Sequence, residues 1–273
     1  NKSISLKPNY AEAYCNLGVV LKDKGSYDKA ICIFKKSISI RPNNALSYSN
    51  IGSILQNQGK LDEATQAYKK SISLDPDLAN AHKNLSFTLL NSGKYLEGLD
   101  EYEWRWKTEE NLSKYRHFRQ PVWNRETSLN GKTILIWSEQ GVGDTITWSS
   151  CLSHITSQAK HCILECQEKL VPLLKRSFPN IEVKAENISL DAERDDFDFH
   201  ISMGSLYKNL SKEVFENTKV DAYLKPDPDR VKYWKKCLNS LGNGPYIGVS
   251  WKSTLMTPGR VPNYAPISEW SSL

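Results

Sequence analysis

The sequence predicts a helical solenoid followed by an α/β domain, on two observations. Small, aromatic and proline residues recur every 34 positions through roughly the first hundred residues, and from Thr133 short β-rich runs alternate with helical ones. With 39% apolar and 25% charged residues over a length of 273, the composition is that of a globular chain of about two domains. The net charge is +5, with 15 basic and 11 acidic residues up to Lys107 and 21 and 20 beyond it. Neither half carries the concentrated basic field of a nucleic-acid binder. No apolar stretch reaches the roughly 20 residues of a membrane helix. The six cysteines form no CxxC pair and sit mostly in apolar runs, the expectation for reduced thiols in a cytoplasmic protein.

The repeat comes first in the chain. Pro8, Pro42 and Pro76 mark the interval, as do Gly25, Gly59 and Gly93, and Asn16, Asn50 and Asn84. Each unit opens with an aromatic, an aliphatic and a small residue, as in Tyr14, Leu17, Gly18 and Tyr48, Ile51, Gly52. Its second half carries Ala30 and Phe34, or Ala64 and Tyr68. Small positions let paired helices approach, the later glycines make the inter-helix turn, and proline stops each unit. This pattern resembles the tetratricopeptide repeat over about residues 1–107. The third unit drifts: His82, Ser86 and Gly98 replace aromatic and small residues, Glu110 stands where the next proline is due, and Trp104 and Trp106 cap the array against the next domain.

Asn16, Asn50 and Asn84 each precede a core aliphatic in the first helix of a unit. In the array of O-linked N-acetylglucosamine transferase, which this one resembles, such asparagines line the concave face and hold an extended peptide. An amide suits this because it donates and accepts at once. Asparagine is also simply common at this repeat position. A protein or peptide on the concave face is the expected partner.

Residues 108–127 read as a connecting segment. Across Glu103–Trp123 aromatics alternate with Arg and Lys, the pattern either of nucleic-acid stacking or of an interdomain segment whose Trp and Tyr side chains pin one module to the other. Beyond it, Thr133–Trp137, Cys162–Cys166, Ile181–Val183 and Phe197–Ile201 read as strands. Helices are expected to about Gln158, over Leu170–Phe178 and over Arg230–Leu241, with a late strand at Tyr246–Trp251. The alternation predicts a parallel, doubly wound Rossmann-like sheet with its site at the carboxyl ends of the strands.

The loop Glu139-Gln-Gly141-Val-Gly143-Asp144 is the first candidate site, its glycines allowing a sharp turn and close approach. It is neither a dinucleotide fingerprint nor a phosphate loop, because Ile146 takes the third glycine's place and no Lys-Ser/Thr follows. Asp144 is either a helix cap or a carboxylate that deprotonates a hydroxyl. His200 is a second cleft candidate, or a buried hydrogen-bonded histidine. Lys252, Ser253 and Thr254 suit a diphosphate, or are an ordinary polar strand exit.

The runs GKTILIWSEQGVGDTI, FDFHISMGSL, AYLKPDPDRVKYW and YIGVSWKST together resemble, over about residues 120–273, the module attached to bacterial repeat arrays that is similar to glycosyltransferase family 9, the heptosyltransferases. The resemblance implies a GT-B arrangement of two facing Rossmann-like domains. It implies inversion, with Asp144 as the general base. It implies a nucleotide-sugar co-substrate held in part by Lys252, Ser253, Thr254 and Arg260. No metal and no other cofactor are expected, because no clustered metal-ligand motif is read in the sequence. On this reading 128–243 is the acceptor-side domain. Residues 244–273 only begin a donor domain that needs on the order of 100 further residues, and the chain as given is expected to be inactive. The alternative expectation is a non-catalytic repeat scaffold.

Overall fold

The computed structural model describes residues 9–216, 222–242, 244 and 246. They fall into two compact units, Asn1–Lys225 and Pro226–Leu273. The expected strand at Tyr246–Trp251, and Lys252, Ser253, Thr254 and Arg260, lie outside the described residues.

Among the described residues the first unit begins with three helix pairs: α1 (Ala11–Asp23) with α2 (Tyr27–Ile40), α3 (Ala45–Asn57) with α4 (Leu61–Leu74), and α5 (Ala79–Asn91) with α6 (Tyr95–Tyr102). The turns within the pairs hold Gly25, Gly59 and Gly93 at φ of 71°, 74° and 76°, the left-handed region in which a side chain is strained. Phe34 and Tyr68 are fully buried and lie flat on Gly18 and Gly52. A Cβ at Gly18 would come within 2.6 Å of the Phe34 ring, which is why the first helix carries a small residue there. Ser37 and Ser71 tie the second helix of a pair to the start of the first, donating to the Ala11 and Ala45 carbonyls at 2.8 Å.

One period further on, Tyr102 stands at the Phe34 and Tyr68 position and Arg105 at the serine position. The drifted third unit is closed differently. Trp104, on the 3-10 turn Glu103–Lys107, stacks on His82 at 3.8 Å. The imidazole spans Glu101 Oε2 at 2.5 Å and the Pro76 carbonyl at 3.0 Å. A short helix α7 (Glu109–Leu112) comes next.

The sheet has four parallel strands, β1 (Thr133–Trp137), β2 (His161–Cys166), β3 (Glu182–Ala185) and β4 (Phe199–Ser202), in the order β3-β2-β1-β4. Ile134 and Ile136 face one side with Cys162, Leu164 and Ile201. They are covered by α9 (Leu152–Thr156), α10 (Val171–Ser177) and α11 (Met203–Asn209) through Leu152, Ile155, Leu174 and Leu206. The opposite face, Leu135, Trp137, Ile163 and Phe197, packs against Trp106, Tyr115 and Phe118. This corrects the doubly wound expectation. The β3–β4 connection carries only a 3-10 turn, Ile188–Glu193, so aromatic side chains of the connecting segment do the covering that a crossover helix would do. That segment is anchored by Arg116, whose Nε donates to Asp191 at 2.7 Å and whose Nη2 lies 2.8 Å from Glu165.

Helix α11 and the adjoining α12 (Ser211–Glu216) are additions to the expected elements, although Leu206, Leu210 and Val214 recur at helical spacing and pack on the core. In the second unit, helix α13 (Pro228–Asn239) starts at Asp227, whose carboxylate accepts from the Asp229 and Arg230 amides at 3.0 Å.

The flat packing of Phe34 on Gly18 gives a direct expectation. Gly18→Ala should cost about 1–3 kcal/mol by overpacking, read as a lower urea midpoint, whereas Ala at exposed Gly143, which meets nothing within 4 Å, should change little.

Candidate functional site

In a sheet of this order, β2 and β3 lie to one side of β1 and β4 to the other, so a crevice opens outside the carboxyl ends of β1 and β4. Two loops line it, Ser138–Gly141 after β1 and the turn into α11 after β4. Arg105, from the array, fills it. Its Nε and Nη2 approach Glu139 Oε2 at 2.9 and 2.8 Å. Nη2 also donates to Ser202 Oγ at 3.0 Å and Ser205 Oγ at 2.9 Å. Nη1 donates to the Tyr102 carbonyl at 3.1 Å and to Glu103 at 2.9 Å. The rings of Tyr102 and Trp106 lie 4.2 and 4.4 Å from the guanidinium carbon. Both charged side chains are only 1% exposed. Burial pushes the Glu139 carboxyl up, opposed by Arg105 and by the Gly204 N–H that Oε1 accepts at 2.9 Å. Only glycine fits at 204, because a Cβ would sit 2.2 Å from Glu139 Oε1 and 2.8 Å from the Tyr102 ring.

The next residue is held from both sides. Gln140 Nε2 donates to the Tyr102 hydroxyl, and its carbonyl accepts from Gln167 at 2.6 Å. Thr145 donates to the same Gln167 side chain at 3.1 Å. Helix α8 (Val142–Trp148) then begins, and Asp144 Oδ2 accepts the Gly141 N–H at 3.1 Å. Gly141 has extended backbone open to any residue and Gly143 is helical, so neither turn depends on a left-handed conformation.

Beside the filled crevice lies a cavity of about 500 Å³. Lys83 and Phe87 of α5 form one wall, and Glu110, Asn111 and Lys114 another. Tyr102 and the Arg105–Glu139 pair lie below, and Gln140, Gly141 and the half-buried Asp144 close the loop side. Lys83 reaches across to Glu110 at 2.9 Å, joining the two walls. Burial, with the Glu139 and Asp144 carboxylates, pushes the Tyr102 phenol above its ordinary value.

Asp144, Glu139 and Gly141 therefore converge on this cavity, with Glu139 committed to Arg105. His200 does not border it. It is buried in β4 on the opposite face of the sheet, accepting from the Trp137 indole at 3.3 Å beneath Phe118. Burial, with the positive charge of Arg116, lowers its pKa to about 4. Asn16, Asn50 and Asn84 sit at one position of the three first helices; Asn16 is exposed and the other two half-buried. Asn50 accepts from Lys22 at 2.8 Å and donates to the Leu46 carbonyl at 2.9 Å. Asn84 lies between Lys83 and Phe87, the residues that open onto the cavity. Arg105 and Tyr102 are not evident as site residues from sequence, although a charge at the Ser37 and Ser71 position is a visible break in the period. Among the described residues no group of three His, Cys, Asp or Glu side chains could hold a metal, and no helix is long and apolar enough to cross a membrane.

Comparison with known proteins defines the class of the array. Residues 11–44 and 45–78 each match models of the tetratricopeptide repeat, so the chain carries tetratricopeptide repeats ahead of a small parallel sheet. Protein FlbA of Caulobacter vibrioides (strain ATCC 19089 / CIP 103742 / CB 15) is 31% identical over 189 residues, covering 63% of this chain and 31% of the relative. The chain thus spans about a third of that relative's length, and the likeness is too long to be confined to residues 1–107. The crystal structure of MamA is 26% identical and covers 41% of this chain and 66% of its own, with a TM-score of 0.36. The second repeat domain of Spaghetti (RPAP3), bound to the HSP90 peptide SRMEEVD, is 23% identical over 34% of this chain and 87% of its own, with a TM-score of 0.34.

Two stability measurements test this geometry. Arg105→Met strands a buried carboxylate and should cost about 3–5 kcal/mol, much of it recovered by adding Glu139→Leu. For His200, the folded state takes up its proton near pH 4 and the unfolded chain near 6.5. Its contribution is therefore whole above pH 6.5 and is lost as pH falls towards 4, on the order of 3 kcal/mol. His200→Gln should flatten that part of the stability profile.

Proposed function

We propose that the repeat array docks an extended polypeptide acceptor and leads it to the Asp144 cavity, where a hydroxyl is glycosylated from a nucleotide-sugar. The observation that carries this reading is that Lys83 and Phe87, which flank Asn84 on the array's third unit, share one cavity with the loop bearing Asp144. Asn16, Asn50 and Asn84 would hold the peptide backbone. Asp144 would take the hydroxyl proton, the hydroxyl oxygen would bond to the anomeric carbon, and the bond to the nucleoside diphosphate would break with inversion. Lys252, Ser253, Thr254 and Arg260 would neutralise the departing phosphate.

A second reading, a non-catalytic scaffold that only holds protein partners, is favoured by one observation. Asp144 already serves as a cap on the Gly141 amide.

The readings separate in the full-length protein. With a nucleotide-sugar panel and mass spectrometry of products, transfer is expected, and Asp144→Asn should cut turnover by about 10²-fold or more while the fold survives. No product from any sugar leaves the scaffold. In either case, changing Asn16, Asn50 and Asn84 together to Ala should weaken partner binding, and unchanged affinity would remove the asparagine ladder.

A further inference from the structure

The loop that carries Asp144 is shaped by side chains from outside the sheet. Its first residue, Glu139, accepts from Arg105, and its second, Gln140, donates to Tyr102. Both partners belong to the last turn of the array. Tyr102 is 2% exposed, with its ring against Trp148 at 5.8 Å and Phe87 at 6.1 Å. Arg105 has partners on all three nitrogens of its fork and an aromatic ring within 4.4 Å on each of two sides. Within the sheet domain, the Gly204 amide, the Gln167 side chain and the Glu165 carbonyl, which accepts the Ser138 N–H at 2.8 Å, also hold the loop. A guanidinium held by carboxylate oxygens, two serine hydroxyls and aromatic faces is a binding arrangement in its own right. Here the occupant is tethered.

We propose that Arg105 and Tyr102 are positioning residues for the Asp144 loop, with the β1–β4 crevice serving as a guanidinium socket that holds the loop in shape only while the array's last turn is seated in it. The inference concerns the conformation of the loop and stands independently of sugar transfer, so it is tested without turnover.

The experiment is amide hydrogen exchange across residues 138–145 in the full chain. Arg105→Ala should accelerate exchange there at least tenfold, and millimolar guanidinium or methylguanidinium should restore protection where equal sodium chloride does not. Arg105→Lys keeps the charge but not the planar fork, and should leave the loop nearly as exposed to exchange as Arg105→Ala. It also serves if the alanine variant fails to fold. Tyr102→Phe, which keeps the ring, should accelerate exchange several-fold at Gln140 and Gly141 alone. Ile54→Ala, buried in the array far from the crevice, controls for general loss of stability. Wild-type protection of the loop in Arg105→Lys, acceleration of equal size in Ile54→Ala, or a failure of guanidinium to restore the alanine variant would each overturn the assignment.

Discussion

The buried pair Arg105–Glu139 is the constraint on which the first unit depends. An ion pair with both side chains 1% exposed is tolerable only where geometry is near ideal and every remaining donor and acceptor is satisfied. That requirement dictates its surroundings. It accounts for the serines at the end of β4 and just beyond it, for glycine at 204 and for the two aromatic rings on the guanidinium. It also joins chain segments that are otherwise distant, since Arg105 and Ser205 are 100 positions apart.

Filling the crevice moves the open space. In open α/β sheets a ligand lies directly outside the strand ends at the point where strand order reverses. Here a side chain of the same protein lies there, and the cavity is displaced towards the array, so that its walls belong to two architectures. Polar groups on the loop face Lys83 and Phe87 of a repeat helix. The junction is thus a composite surface, and the Arg105–Glu139 pair, with the Gln140–Tyr102 hydrogen bond, holds the loop beside the repeat helix.

Much of the array was legible because its signal is local and repeated. Three copies of a glycine at the same interval point to three turns, and the φ angles agree. The strands were legible as short β-rich runs, with bounds within a few residues. The covering of the second sheet face was legible only in part, because alternation predicts that a face is buried but not by what; the aromatics before the sheet read as capping the array and pinning the modules together, not as the layer that Trp106, Tyr115 and Phe118 form on Leu135 and Trp137. His200 illustrates the same limit. Its position at a strand end suggested a cleft, and only the placement of Phe118 and Trp137 reveals which side of the sheet it faces. Arg105 is the most instructive case. The period placed it at a buried serine position, and a lone basic residue there has no local partner deep enough to match it, so its buried carboxylate had to come from elsewhere in the chain.

The third unit also fixes the direction in which such an array can grow. Its last turn has exchanged the serine that would close an ordinary repeat for an arginine fitted to a foreign surface, and it has no proline to start a successor. A duplicated unit spliced in after it would carry the wrong residues to the sheet and pull the right ones away. Units added upstream would disturb nothing at the junction. Lineages of this architecture should accordingly differ in reach at the far end while keeping the unit next to the sheet unchanged.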